Sequence, residues 1–203
     1  MTTAVKDPPL QGSARRPDIL LKAAQVFLEF GYDATSMNLV AERAELTKPG
    51  LYYHFESKQE LLYSIMSYAM DVLEGVTAQA SAAASDSESR LRNMIHALAR
   101  ITVEQEDGAF TILVIDETNA LLGQDRRKIT ARKRAYYDTI RRAFEALAAE
   151  GRLRPVDSTV ATFTLLGMVL WLSKWFERGG RIAGDEVAAQ VTDMAMAAVL
   201  KAR

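Results

Sequence analysis

The sequence predicts an all-α protein in two parts, an N-terminal three-helix unit and a larger C-terminal helical domain. Three observations predict it. Apolar residues recur at i, i+3, i+4 and i+7 along most of the chain, the period of amphipathic helices. No run of alternating β-branched residues marks a strand. Residues 35–61 hold two short helix signals around a tight turn, directly behind a longer helix. The 203 residues can bury a sizeable core. The expected division is a disordered arm over 1–14, the three-helix unit over 15–60 and the second domain over 61–203.

The first helix spans about Pro17 to Phe30, with Ile19, Ala23, Phe27 and Leu20, Ala24, Leu28 as stacked rows, and Gly31 ends it. Ser36 can cap the second, whose inward face is Met37, Val40, Ala41 and Ala44. After a turn through Glu45 and Leu46, Thr47 can cap a third helix with Pro49 in its first turn, where a missing N–H is harmless. A capping box, Ser57 to Glu60, opens the fourth, which continues through Leu62, Ile65, Met66, Ala69 and Leu73. Small residues from Ala78 to Ser87 should interrupt it. A second box, Ser85 to Glu88, then precedes a helix holding Leu91, Met94, Ile95, Leu98 and Ile101, and Gly108 separates that helix from a shorter one through Leu122. From Gln124 to Glu150 a long helix presents Ile129, Tyr136, Ile140, Ala143 and Leu147, and Gly151 stops it. Pro155 should start a helix to about Glu177, and Asp185 or Glu186 the last one.

The second and third helices read as a helix-turn-helix. Leu51 and Phe55 are i,i+4 partners that face inward, which leaves Lys48, Pro49, Gly50, Tyr52 and Tyr53 outside near the helix N-terminus, the part of a recognition helix that reaches base edges and phosphates. Lys48 and Tyr53 are candidates for base edges or adjacent phosphates, and Thr47, Tyr52, His54 and Lys58 for the DNA backbone. Arg16, Thr35 and Ser36 complete the candidate set. The net charge is −1, and residues 15–58 carry equal numbers of basic and acidic side chains, so local placement rather than bulk charge must support nucleic-acid binding. Residues 126–142 hold eight Arg or Lys and one Asp, but with no aromatic platform beside them they read as a solvated helix face.

In order and spacing, Thr35-Ser36-Met37, Val40-Ala41, Ala44, Leu51-Tyr52-Tyr53-His54-Phe55, Ser57-Lys58 and Glu60-Leu61 resemble the N-terminal domain of the TetR family of bacterial transcriptional regulators. One departure is visible, Glu45 where that family commonly has a turn glycine. The resemblance implies a homodimeric regulator that binds a pseudo-palindromic duplex and is controlled by a small molecule. It also implies that the last two helices pair with a partner's in a four-helix bundle. The candidate dimer residues are Phe163, Leu166 and Leu170 with Gly167 on one helix, and Val187, Val191, Met194, Ala195 and Ala198 on the other; the alternative is that both stripes face the protomer's own core.

The middle of the chain would then enclose a ligand cavity near Met94, Leu98, Phe110, Leu113, Val114, Tyr136, Tyr137, Ile140, Phe163, Met168 and Trp171, each of which could equally be plain core. Lys174-Trp175-Phe176-Glu177-Arg178-Gly179-Gly180-Arg181-Ile182 is similar to a segment of a TetR subgroup that represses fatty-acid, aromatic-acid and steroid degradation and is released by acyl-CoA thioesters. Asp116-Glu117 sits where that subgroup tends to carry an acidic pair. By that resemblance Lys174, Arg178 and Arg181 would meet the CoA phosphates, since clustered cations suit phosphate, and Trp175 is a further candidate for ligand binding. The alternative effector is an uncharged lipophilic compound sensed by a regulator of efflux or stress genes.

An enzyme has little to stand on. His54 and His96 are the only histidines, consecutive Asp116 and Glu117 on a helix point about 100° apart, and no phosphate loop, metal-ligand spacing or nucleophile elbow occurs. Neither cofactor nor metal is expected. A helical protein-binding adaptor would leave Lys48, Tyr52, Tyr53 and Lys58 without a joint purpose. The longest apolar stretch, Phe163 to Leu172, falls far below the roughly 20 residues of a membrane helix. The lack of cysteine and of a targeting signal fits a reducing cytoplasm.

Overall fold

The computed structural model describes residues 16–103 and 118–201. Eight α-helices occur among them: α1 (Arg16–Phe30), α2 (Met37–Arg43), α3 (Lys48–His54), α4 (Lys58–Ala82), α5 (Ser87–Val103), α6 (Gly123–Ala149), α7 (Ser158–Trp175) and α8 (Gly184–Val199), with a 3-10 turn at Thr118–Ala120. No strand appears among the described residues; one antiparallel bridge pairs Leu153 with Leu200. None of these helices is long and apolar enough to cross a membrane. The expected N-terminal arm lies outside the described residues.

Caps set the boundaries. Ser36, Thr47 and Ser57 each accept a hydrogen bond from the backbone N–H three residues on, at 3.2, 3.1 and 3.1 Å, relieving one orphan donor at the start of α2, α3 and α4. Between α2 and α3 the chain reverses through Glu45 at φ +54°, which lets the Leu46 N–H reach the Ala41 carbonyl at 2.8 Å. The glycine-type turn is thus formed with a side chain in place. Phe27, Val40, Leu51, Phe55, Leu61 and Leu62 are fully buried, so α1, α2 and α3 share one small core with the start of α4.

The shorter helix expected to run through Leu122 lies mostly outside the described residues, which show only the 3-10 turn there, and three other boundaries differ from expectation. The small residues after Ala78 do not break α4, because alanine is the best helix former; the helix continues to Ala82, about 37 Å in all. The cap of α5 lies one residue later than the expected box. Asp86 accepts from the Ser89 N–H at 2.7 Å while the Ser89 hydroxyl accepts from the Asp86 N–H at 3.1 Å, and Glu88 instead pairs with Arg152. Pro155 precedes α7 rather than starting it, since Asp157 accepts from the Thr159 and Val160 N–H groups and fixes the first turn at Ser158.

In the C-terminal region α5 is central, with Leu91, Ile95 and Ala99 fully buried and packed between α4, α6, α7 and α8. Backbone bonds from Arg154 N–H to Val199 and from Lys201 N–H to Arg152, both 2.9 Å, clasp the end of α8 to the α6–α7 loop. The basic run of α6 is not merely solvated. Arg132 crosses to α4, where it binds Asp71 at 2.7 Å, Glu74 at 2.8 Å and the Ser67 carbonyl at 3.2 Å. Those carboxylates raise its already high pKa further.

Candidate nucleic-acid interface and effector region

The outer face of α3 follows from its inner one. With Leu51 and Phe55 locked in the core, Tyr53 is thrown outward at 85 % exposure and Tyr52 is also exposed. Lys48 and Pro49 lie beside them at the helix start. The Tyr53 and His54 rings meet edge to face at 5.4 Å, which restricts both. Gly50 is tight because a Cβ there would stand 3.1 Å from the Thr47 hydroxyl that caps the helix. Arg16 is exposed, with its guanidinium 5.0 Å from the centre of the Phe55 ring. Ser36 is exposed but its oxygen is engaged as a cap.

Two expected DNA contacts are corrected. Thr35 is buried, and its hydroxyl donates to the Gly31 carbonyl at 2.8 Å, closing the α1–α2 loop. The Lys58 ammonium turns inward. It donates to the carbonyls of Tyr32 at 2.8 Å, Thr35 at 2.9 Å and Asp33 at 3.3 Å, and lies 4.2 Å from the Tyr32 ring centre. Since an ammonium has three donors, none is left for a phosphate. The α1–α2 loop presents three convergent carbonyls that only the fold brings together.

The expected cavity is also redrawn. Phe110, Leu113, Val114, Asp116 and Glu117 lie outside the described residues. Met94, Leu98 and Tyr136 are buried, and Tyr136 hydrogen-bonds Thr77 at 3.1 Å while burial pushes its hydroxyl pKa up to about 12. Tyr137 is half-buried against the Phe163 ring at 5.4 Å, and burial raises its pKa as well. Phe163, Trp171, Lys174 and Trp175 are exposed on α7, which turns Leu165, Leu166, Val169 and Leu172 to the core, and Phe163 with Tyr137, Arg134, Asp138 and Arg141 borders a cleft of about 390 Å³.

Two open clefts meet at Arg100. One, about 420 Å³, lies between the end of α4 and α5 and is lined by Val76, Ala80, Asn93, His96, Ala97 and Arg100. The other, about 560 Å³, is bounded by Arg100, Val103, Phe176 and the α7–α8 connection, including Arg178, Gly180 and Arg181. Arg100 itself pairs with Asp185 at 3.2 Å. Asn93, His96 and Arg100 were missed in the sequence, although they recur at i, i+3 and i+7, a polar stripe opposite the core stripe of α5.

Part of the expected dimer stripe faces inward. Leu166, Val187 and Ala195 are buried in the protomer's own core, where α8 packs on α5 and Arg92 pairs with Asp193. Leu170 and Val191 are half-buried. The outer surfaces carry Val160, Phe163, Gly167 and Trp171 on α7, and Met194 with Ala198 on α8. Trp171 is 65 % and Met194 63 % exposed, unusually open for such large apolar side chains.

Comparison with known proteins places this architecture. Residues 19–65 match the family of bacterial regulatory proteins of the tetR type, and residues 84–199 match the tetracyclin repressor-like C-terminal domain. The HTH-type transcriptional repressor KstR2 of Rhodococcus jostii is 27% identical over 194 residues, covering 94% of this chain and 93% of that protein. AibR, solved in complex with isovaleryl coenzyme A and operator DNA, superposes with a TM-score of 0.78 at 35% identity, over 89% of this chain and 97% of AibR. PfmR from Thermus thermophilus has a TM-score of 0.77 at 31% identity, over 88% of this chain and 97% of PfmR.

Proposed function

The chain belongs to the TetR family of bacterial transcriptional regulators, DNA-binding proteins rather than enzymes, and on that premise we propose that it acts in the cytoplasm as a homodimeric repressor of a pseudo-palindromic operator, released by an acyl-CoA thioester. The observation that carries the DNA reading is α3, whose inner residues are immobilised in a core while Lys48 at its start and Tyr53 near its end project outward. Lys48 and Tyr53 read base edges or adjacent phosphates. Thr47, Tyr52 and His54 hold the backbone, and Pro49 and Gly50 keep the surface low enough for approach. Selection from random duplexes should return an enriched half-site in inverted repeat. Lys48→Ala or Tyr53→Ala should then cost about 1–3 kcal/mol and relax preference at one or two base pairs. A pool with no enriched half-site would refute the reading.

A second copy fits the outward stripe of α7 and α8, where Phe163, Gly167, Trp171, Met194 and Ala198 combine bulk with small residues that permit close helix approach. For the effector, the support is the CoA complex of the similar AibR together with the two clefts that share Arg100. The acyl part suits the alanine- and valine-lined cleft, and the CoA phosphates suit Arg178 and Arg181 at the other. An effector releases DNA only if it favours a state in which the two recognition helices are wrongly spaced. Calorimetry against short, long, aromatic and steroid-derived CoA esters tests this. Arg178→Ala with Arg181→Ala should weaken CoA esters strongly and neutral lipophilic compounds little; equal loss for both classes would favour the uncharged effector.

A further inference from the structure

Gln59, the second residue of α4, joins two parts of the chain that lie far apart in sequence. Its side-chain Nε2 donates to the Tyr32 hydroxyl at 2.8 Å and to the Ala120 carbonyl at 2.8 Å, and its Oε1 accepts from the Leu122 N–H at 3.2 Å. Only one orientation of the carboxamide satisfies both backbone partners, because a carbonyl can only accept and an N–H can only donate.

Both ends of this bridge are anchored. Tyr32 is buried, packs on Phe27 at 5.4 Å, and belongs to the loop whose carbonyls hold Lys58, so its hydroxyl is fixed to the three-helix head. On the other side Leu121 is fully buried, and Leu122 is the N-cap of α6. The amide therefore spans the junction between the head and the C-terminal helices, beside the start of the long α4 that also connects them.

We propose that Gln59 is a positioning residue for DNA reading. It fixes the angle of the head against the C-terminal helices, and hence the separation of the two α3 helices in a dimer, without touching DNA. This rests on the dimeric DNA-binding function proposed above. A single head needs only its own core to dock on one half-site, whereas two heads must be correctly spaced to dock together. Loss of Gln59 should therefore act on full sites and spare half-sites.

The test uses the full chain and two duplexes of equal length, the selected inverted repeat and the same duplex with one half scrambled. Gln59→Leu removes all three hydrogen bonds and should weaken full-site binding about tenfold, while half-site binding changes less than about twofold. Tyr32→Phe deletes a single hydroxyl, so it carries the test should Gln59→Leu fail to fold. It should weaken full-site binding roughly threefold and add nothing in the Gln59→Leu background, since the two groups act through one contact. Equal losses on both duplexes would show a merely structural role and overturn the proposal, as would unchanged full-site affinity. Wild-type protein that binds the full site no tighter than the half-site would overturn the dimeric reading itself, and this proposal with it.

Discussion

Lys58 separates two accounts of the α4 N-terminus, and Lys58→Met tests them. A lysine there that held a DNA phosphate would leave the free protein's stability unchanged when lost. The observed lysine instead gives its three N–H groups to the carbonyls of Tyr32, Asp33 and Thr35. A hydrogen bond with one ionised partner contributes about 1.5–3 kcal/mol when isolated. Three that share one half-buried ammonium fall well short of three times that, and we take about 2–3 kcal/mol together. The ring of Tyr32 beneath the ammonium adds about 0.5–1 kcal/mol. Methionine keeps most of the apolar stem, so nearly all of the loss is polar, about 2.5–4 kcal/mol. For a protein of this size 1 kcal/mol moves Tm by about 2–4 °C, so Tm should fall by about 5–15 °C in the absence of DNA. Calorimetric melting of the free protein measures it, and the salt dependence of operator binding supplies the contrast. A Lys58→Met protein that melts with the wild type while its salt slope drops by about one would refute the reasoning, because that is the signature of one lost phosphate contact.

Other substitutions check the remaining structural claims. Phe163→Asp and Met194→Asp should give folded monomers by light scattering, whereas Ala195→Asp, which buries a charge inside the protomer, should unfold the chain; a folded Ala195→Asp monomer would return that residue to the interface. Tyr136 binds its proton more tightly folded, at a pKa of about 12 against an ordinary 10.0, so its contribution is fully present below pH 10 and is lost as pH rises from about 10 to 12. Denaturant titrations should show that loss at roughly 1.4 kcal/mol per pH unit, and Tyr136→Phe should flatten it. Glu45→Gly should stabilise the protein by about 0.5–1 kcal/mol, since relief of the positive φ outweighs both glycine's entropy and the exposed pair with Lys22; a destabilised variant would show that the turn carries no strain.

The described helices and the outward face of α3 were legible in the sequence, because both depend on relations within one turn of chain. Period, caps and the Thr47-to-Phe55 spacing decide which residues face a core and which do not. What sequence reasoning misplaced depends on partners far along the chain. Lys58 looks like a surface cation until the loop 25 residues earlier offers its carbonyls, and Thr35 looks exposed until that same loop closes over it. The stripe of Val187, Val191 and Ala195 marks one apolar face of α8, but only the packing against α5 decides that this face belongs to the protomer's core and that Met194 and Ala198 lie outside. Arg100 joins two clefts, and Gln59 joins Tyr32 to Ala120, for the same reason. Local periodicity fixes a residue's direction on its own helix, whereas its function depends on what the folded chain brings opposite it.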